Sequence, residues 1–302
     1  MRFFDKRRKN MFVTMSELLN RAKKERYAVA AANVFNDRTV KECFTVADRL
    51  KSPIIMACTS YVPMEELALL AQFYEKQYPH VPIALNLDHG SDYEQAIRAI
   101  RCGFTSVMID KSTFPFEENV NEVREVVKAA HAIGVSVEAE LGHVGKGFEY
   151  EKTRESGLTR KEDALRFVQK TNVDCLAVAI GTSHGVYSGK PHLDFDLLKA
   201  LSKLVPVPLV LHGGSNTGEE KIKKAIALGI QKVNLSTDLV SSYIEGISRF
   251  VKEKGSVLDE SGKIIYSGNR AVLANQGHQA SADAWGKTLA SYMQVFGSVN
   301  RA

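Results

Sequence analysis

The sequence predicts an α/β protein, a closed (β/α)8 barrel of the TIM type, and three observations predict it. Short apolar runs of strand length alternate eight times with segments of helical periodicity, all within about 230 residues, the span that eight β–α units require. A length of 302 residues with 44% hydrophobic content suffices to bury one large core. Ionisable residues gather at the C-terminal ends of the apolar runs, the face on which such barrels build their sites. An open doubly wound sheet is the competing architecture. It needs a glycine-rich phosphate turn after the first strand, and Ala32-Asn33-Val34-Phe35-Asn36 is not one.

A short amphipathic helix opens the fold near 15–25, where Thr14 and Glu17 have capping-box spacing. Strands are expected at 27–33, 53–58, 81–87, 104–109, 134–140, 173–180, 206–211 and 231–235. After the first come Val40, Cys43, Val46 and Leu50, and after the fourth Val120, Val123, Val126 and Ala130, each the stripe of a helix with one buried face. Ser91/Glu94, Thr159/Glu162 and Thr217/Glu220 repeat the capping-box spacing at three further helix starts. Residues 142–158 form a long polar, glycine-bearing loop after strand 5, with the character of an active-site lid. Residues 254–277 are polar and irregular, and a last helix near 280–296 is expected outside the barrel or against a second subunit. The expectation is a single domain over 1–302, with a barrel core at about 25–253 and a C-terminal helical extension at 254–302.

A net charge of +5, spread along the chain, suits anionic small molecules and argues against a nucleic-acid partner. Its densest run, Lys6-Arg7-Arg8-Lys9, reads as a solvated tail. Cys43, Cys58, Cys102 and Cys175 are scattered with no C-x-x-C pair, as in a reduced protein. No apolar run approaches the ~18 residues of a membrane span, and the basic start leads into no apolar signal region. The expected setting is cytoplasmic, with no membrane partner.

Three histidines follow three separate strands: Asp88-His89-Gly90 after the third, Thr182-Ser183-His184-Gly185 after the sixth, and His212-Gly213-Gly214-Ser215 after the seventh. Imidazoles delivered this way can converge on one divalent metal and leave a coordination position open, as in a catalytic zinc site. Glu138 and Glu140 are two apart on strand 5 and so share its inner face. With Asp110 on the next strand, Glu140 could hold a second cation; the alternative is an ion pair to Lys111 or Lys232. Gly213 to Ser215, and Asn234 to Thr237 at a helix start, have the makings of an anion site.

At these residues the sequence resembles the class II, zinc-dependent ketose-bisphosphate aldolases, which include the fructose-bisphosphate and tagatose-bisphosphate enzymes. The resemblance spans about residues 25–250 and rests on Y-A-V-A-A-A-N-V (27–34), L-D-H-G (87–90), G-F-T-S-V-M-I-D (103–110), F-E-E-N-V (116–120), G-V-S-V-E-A-E-L-G (134–142), A-V-A-I-G-T-S-H-G (177–185), L-V-L-H-G-G-S (209–215) and K-V-N-L-S-T-D (232–238). The tail F-G-S (296–298) is also similar.

The resemblance implies reversible cleavage of a ketose (bis)phosphate into dihydroxyacetone phosphate and an aldehyde, through a zinc-stabilised enediolate. It gives His89, His184 and His212 to Zn2+, and Asp110 and Glu140 to a second divalent cation. Asp88 becomes the catalytic acid–base group, and Gly185, Gly213, Gly214, Ser215, Asn234, Leu235, Ser236 and Thr237 the phosphate and substrate contacts. It also implies a place for a monovalent cation and a homodimer or homotetramer. The chain departs from the family pattern at Ser236, at Ala32 and Phe35, and in the lid G-K-G-F-E-Y-E, which lacks the G-G-x-E spacing. Glu149, with Glu151 as the other choice, is the candidate lid base. The departures leave open the same chemistry on a sugar phosphate with a different aldehyde half.

Three rivals are set against this reading. A Schiff-base aldolase needs a desolvated lysine at a strand end, for which Lys111 and Lys232 are the candidates. A barrel metallohydrolase would place an H-x-H pair on the first strand, and residues 27–36 hold no histidine. A non-enzymatic metal-storage or regulatory barrel would not need Asp88 or Glu149.

Overall fold

The computed structural model describes residues 12–59, 62–150, 155–253, 259–263 and 270–302. The run Lys6–Lys9, Glu151 and part of the 254–277 segment lie outside them. Eight parallel strands close on themselves in sequence order: β1 (Val29–Asn33), β2 (Ile54–Thr59), β3 (Ile83–Gly90), β4 (Ser106–Ile109), β5 (Ser136–Leu141), β6 (Cys175–Val178), β7 (Leu209–Leu211) and β8 (Ile230–Leu235). The strand-connecting helices are α2 (Asp37–Leu50), α3 (Met64–Glu75), α4 (Tyr93–Cys102), α5 (Phe116–His131), α6 (Lys161–Thr171), α7 (Phe195–Leu204) and α8 (Glu219–Leu228), with α9 (Thr237–Glu253) after β8. The fold is the predicted (β/α)8 barrel with a C-terminal helix.

Alternation along each strand divides the apolar residues into two layers. Val137, Ala139 and Leu141 of β5 face the helices together with Leu85 and Leu87 of β3 and Val233 and Leu235 of β8. Ser136, Glu138 and Glu140 take the opposite, inner face and are buried. The inner apolar cluster is small: Val29, Ala31, Ile55, Ala84, Cys175, Ala177 and Val210.

The opening helix α1 (Met15–Glu25) and Tyr27 just beyond it supply the rest of that inner cluster. Met15, Leu18, Leu19 and Ala22 plug the N-terminal end of the barrel. Its first turn has backbone N–H groups with no intrahelical acceptor. Met15 N–H donates to Ser106 Oγ at 2.8 Å and Ser16 N–H to Ser136 Oγ, while Thr14 Oγ1 caps Glu17 N–H as its spacing predicts.

The other three capping-box expectations are corrected. Asp92, not Ser91, caps α4 by accepting from Gln95 N–H. Thr159 is buried and donates to Leu141 O while accepting from Ala179 N–H, so it ties the lid's end to β5 and β6. Thr217 donates to Gly213 O. Thr159 is diverted by partners distant in sequence, whereas Ser91 Oγ donates to the adjacent Asp92 carboxylate and Thr217 to a carbonyl four residues back.

The final helix α10 (Arg270–Val295) starts ten residues before the expected boundary near 280. Gly246 of α9 lets it approach closely, since a Cβ there would lie 2.7 Å from Ser281 Cα. Trp285, Leu289, Met293 and Phe296 are buried. The chain beyond is stitched to the start of the barrel, where Ala28 N–H donates to Phe296 O and Ser52 Oγ to Ser298 Oγ. The cysteines are all free, and among the described residues no helix is long and apolar enough to cross a membrane.

Candidate active site

At the C-terminal mouth of the barrel lies a cavity of about 390 Å3. The strand ends deliver Asp88, His89, Asp110, His184 and Asn234 to its wall. Neighbouring residues of a regular strand point to opposite faces, yet Asp88 and His89 both line this cavity. The cause is a bulge. Leu87 pairs with Val107 and Gly90 with Ile109, so Asp88 and His89 together oppose Met108 alone. His89 takes φ +53°, a left-handed conformation uncommon outside glycine. The strand therefore runs to Gly90 rather than ending at 87.

Gly90 is what allows this turn of the backbone. A Cβ there would collide with the Met108 carbonyl oxygen and with Leu87. Gly90→Ala is expected to lower stability by about 1–3 kcal/mol through overpacking and to reduce kcat/KM as the bulge shifts. A melting curve and an activity matching the wild type would show that the bulge has another origin.

The three predicted histidines come together. Ring centroids of His89 lie 5.0 Å from His184 and 4.6 Å from His212, and one nitrogen of each lies within 4.8 Å of the others. Two of them have an outer nitrogen held by a carboxylate: His89 Nδ1 is 2.7 Å from Asp110 Oδ2, and His212 Nε2 is 2.8 Å from Glu138 Oε1. That leaves His89 Nε2 and His212 Nδ1 facing each other at 2.9 Å, while buried His184 Nε2 has no hydrogen-bond partner. Three converging imidazoles, two of them oriented by outer hydrogen bonds and the third with an orphaned buried nitrogen, fit a divalent metal.

Electrostatics favour a cation here. Burial works against a charge on His89, but Asp88, Asp110 and Glu140 outweigh it and lift its pKa to about 9. The same field would draw a metal. His184 is lowered to about 3 by burial and by the other two histidines, so its lone pair is available at neutral pH. Asp110 is held well below the usual carboxylate range: burial opposes its charge, and the hydrogen bond and charge of His89 overcome that.

Glu140 completes a second candidate cluster with His89 and Asp110. Its Oε1 accepts from Val144 N–H at 2.9 Å, and its Oε2 is buried without a partner. Burial, reinforced by Asp110, raises its pKa to about 8. Neither lysine considered from the sequence pairs with it. Lys232 bonds Glu138 instead, and Lys111 lies over the Phe114 ring.

Asp88 is 3% exposed and braced from both sides. Asn33 Nδ2 donates to Oδ2 at 3.0 Å, and Asn234 Nδ2 donates to Oδ1 at 2.9 Å. The Asn234 amide also lies 3.3 Å from His212 Nδ1, so one side chain links the carboxylate to the histidine cluster. Burial would raise the Asp88 pKa, but His89, His212, Lys232 and the Asn33 bond hold it well below its ordinary value.

The cavity is also lined by the anticipated anion donors Gly185, Gly213, Ser215, Asn234, Ser236 and Thr237. Gly213 has φ +68°, and a Cβ there would lie 2.5 Å from Ser183 O, so the loop cannot carry a side chain at this point. Thr237 opens α9, whose N–H groups add positive potential, and Ser215 Oγ accepts from Asp238 N–H. Gly214 packs against β8 and Leu235 faces the helices, so neither side of that pair lines the cavity.

Glu149 is exposed in the short turn Gly147–Glu149 and does not line the cavity. The lid contributes His143, Val144 and Lys146 instead. Lys146 is fixed at its backbone by a bridge to His184, with Gly147 N–H donating to His184 O at 2.7 Å. Sequence reasoning assigned no role to Asn33, Lys146 or Glu138. Asn33 sat within a quoted motif, and Lys146 stood where the lid departs from its pattern.

The family model for class II fructose-bisphosphate aldolase matches residues 13–301. A fructose-bisphosphate aldolase of Thermus caldophilus is 39% identical over 319 residues, covering 97% of this chain and all of that protein. Among solved structures, the YdjI aldolase of Escherichia coli K12 has a TM-score of 0.81 at 31% identity, with 96% of this chain and 99% of that one covered. A fructose-bisphosphate aldolase of Campylobacter jejuni has a TM-score of 0.78 at 21% identity, covering 96% of this chain and 97% of its own, and shares the fold. By a family match over almost the whole chain and close likeness to named aldolases, the chain belongs to the class II fructose-bisphosphate aldolase family.

Proposed function

We propose that this aldolase reversibly cleaves a ketose phosphate between C3 and C4, giving dihydroxyacetone phosphate and an aldehyde, with zinc at His89, His184 and His212. The observation that carries this reading is the placing of the Asp88 carboxylate beside the histidine cluster, joined to it through Asn234, with anion donors lining the same cavity. Zinc would supply a Lewis acid that polarises the C2 carbonyl and steadies the charge left by bond cleavage. Asp88 would take the proton of the C4 hydroxyl in cleavage and return it in condensation. Gly185, Gly213, Ser215 and the start of α9 would hold the phosphate and so fix the reacting carbons against Asp88. Glu149 stays our candidate for protonating the carbanion carbon, a role that asks the lid turn to close inward over substrate. Asp110 and Glu140 are the proposed holders of a second cation. We extend the proposal to a single functional domain over 1–302, acting as a cytoplasmic homo-oligomer.

The Schiff-base alternative loses its best candidate, because Lys232 is fully buried and engaged by Glu138. A panel of aldehydes offered with dihydroxyacetone phosphate tests the proposal. Condensation with at least one aldehyde, abolished by chelator and restored by zinc, is expected; chelator-resistant turnover trapped by borohydride would sink it. In the same panel Lys146→Met is expected to raise KM about tenfold, the scale of one charge-assisted hydrogen bond. If that rise is confined to aldehydes bearing an anionic group, Lys146 serves the aldehyde end. An unchanged KM across the panel would remove Lys146 from substrate binding.

A further inference from the structure

Below the three histidines the barrel interior holds an ion pair sealed from water. Lys232 Nζ lies 2.5 Å from Glu138 Oε2, and Glu138 Oε1 lies 2.8 Å from His212 Nε2, with all three side chains fully buried. Inward positions on other strands carry Ile55, Ala84, Ala177 and Val210, so the interior does not need charge in order to pack. A buried ion pair commonly adds no stability over apolar residues of the same volume. What the pair touches is therefore the better guide to its use.

An ionised carboxylate has acceptors only, so the hydrogen shared by Glu138 and His212 belongs to His212 Nε2. In a neutral ring this leaves the lone pair on Nδ1, the nitrogen that lies 2.9 Å from His89 Nε2 inside the histidine cluster. Lys232 holds the other carboxylate oxygen and keeps Glu138 from turning away. The pair comes from β5 and β8, on either side of the strands that carry His184 and His212.

We propose that Glu138 and Lys232 are positioning residues that fix the ring and tautomer of His212 and thereby set the affinity of the site for zinc. The inference rests on the reading of His89, His184 and His212 as zinc ligands. Outer-shell partners of this kind are typically worth 10–100-fold in metal affinity.

The test replaces the pair by apolar residues, E138L/K232M, and compares it with E138Q/K232M, which returns an uncharged acceptor to His212. Zinc dissociation constants are read by competition with a chromogenic chelator, and folding by melting of the metal-free proteins. The apolar variant is expected to bind zinc about 10–100-fold more weakly while still melting cooperatively, and the glutamine variant to recover most of that loss. Equal affinity in the apolar variant and the wild type, or a glutamine variant no better than the apolar one, would overturn the proposal. Nitrogen NMR of histidine-labelled, zinc-loaded wild type gives a readout independent of how the variants fold. A protonated Nε2 on His212 is expected there, and coordination through Nε2 would overturn the brace. Wild-type protein that binds no zinc would instead remove the ligand reading beneath it.

Discussion

Asp88→Ala is expected to keep its zinc and to lose aldol cleavage by about 10²–10⁴-fold, the range that a positioned acid–base group supplies. Asp88 lies outside the cluster of three histidines, so its removal takes no ligand from the metal. It leaves the amides of Asn33 and Asn234 without their acceptor, at a cost of about 1–3 kcal/mol for each group that water cannot reach. That cost falls on stability, and a melting curve separates it from the chemistry. The decisive pair of measurements is zinc content and turnover at saturating substrate. Turnover within about tenfold of the wild type would take Asp88 out of the proton path.

His212→Ala is expected to behave differently, losing metal and activity together. Of the three histidines it is the wholly buried one, and its ring nitrogens are committed on one side to Glu138 and on the other to the cluster. Removing it leaves two ligands and frees Glu138 to disturb what remains. Turnover should fall by about 10³-fold or more, because the electrophile and not a single hydrogen bond is lost. Full zinc content with normal turnover would overturn the assignment of the site. The contrast between the two variants is the sharper test: one keeps metal without chemistry, the other keeps neither.

Much of this arrangement was legible in the sequence because it follows from short-range rules. Strand-length apolar runs located all eight strands, and their ends located His89, His184 and His212 without any partner being known. The two-residue spacing of Glu138 and Glu140 placed both inside the barrel, where they are found. What was not legible depends on contacts across the chain. Lys232 meets Glu138 across 94 positions, so no local pattern pairs them. The bulge at Asp88 and His89 is a property of the β3–β4 register, although Gly90 is its trace in the sequence. Thr159 and Thr217 carry cap spacing, yet Thr159 spends its hydroxyl on the backbone of β5 and Thr217 on the carbonyl of Gly213 in its own loop. Glu149 sits near the expected register of a lid base, but register alone does not say which way a turn points.

The helix that plugs the lower end of the barrel also governs traffic. Met15, Leu18 and Leu19 fill the N-terminal end of the barrel, so ligands reach the cavity from the mouth side alone. Both halves of a cleaved sugar must leave by that doorway, and they cannot depart through opposite ends.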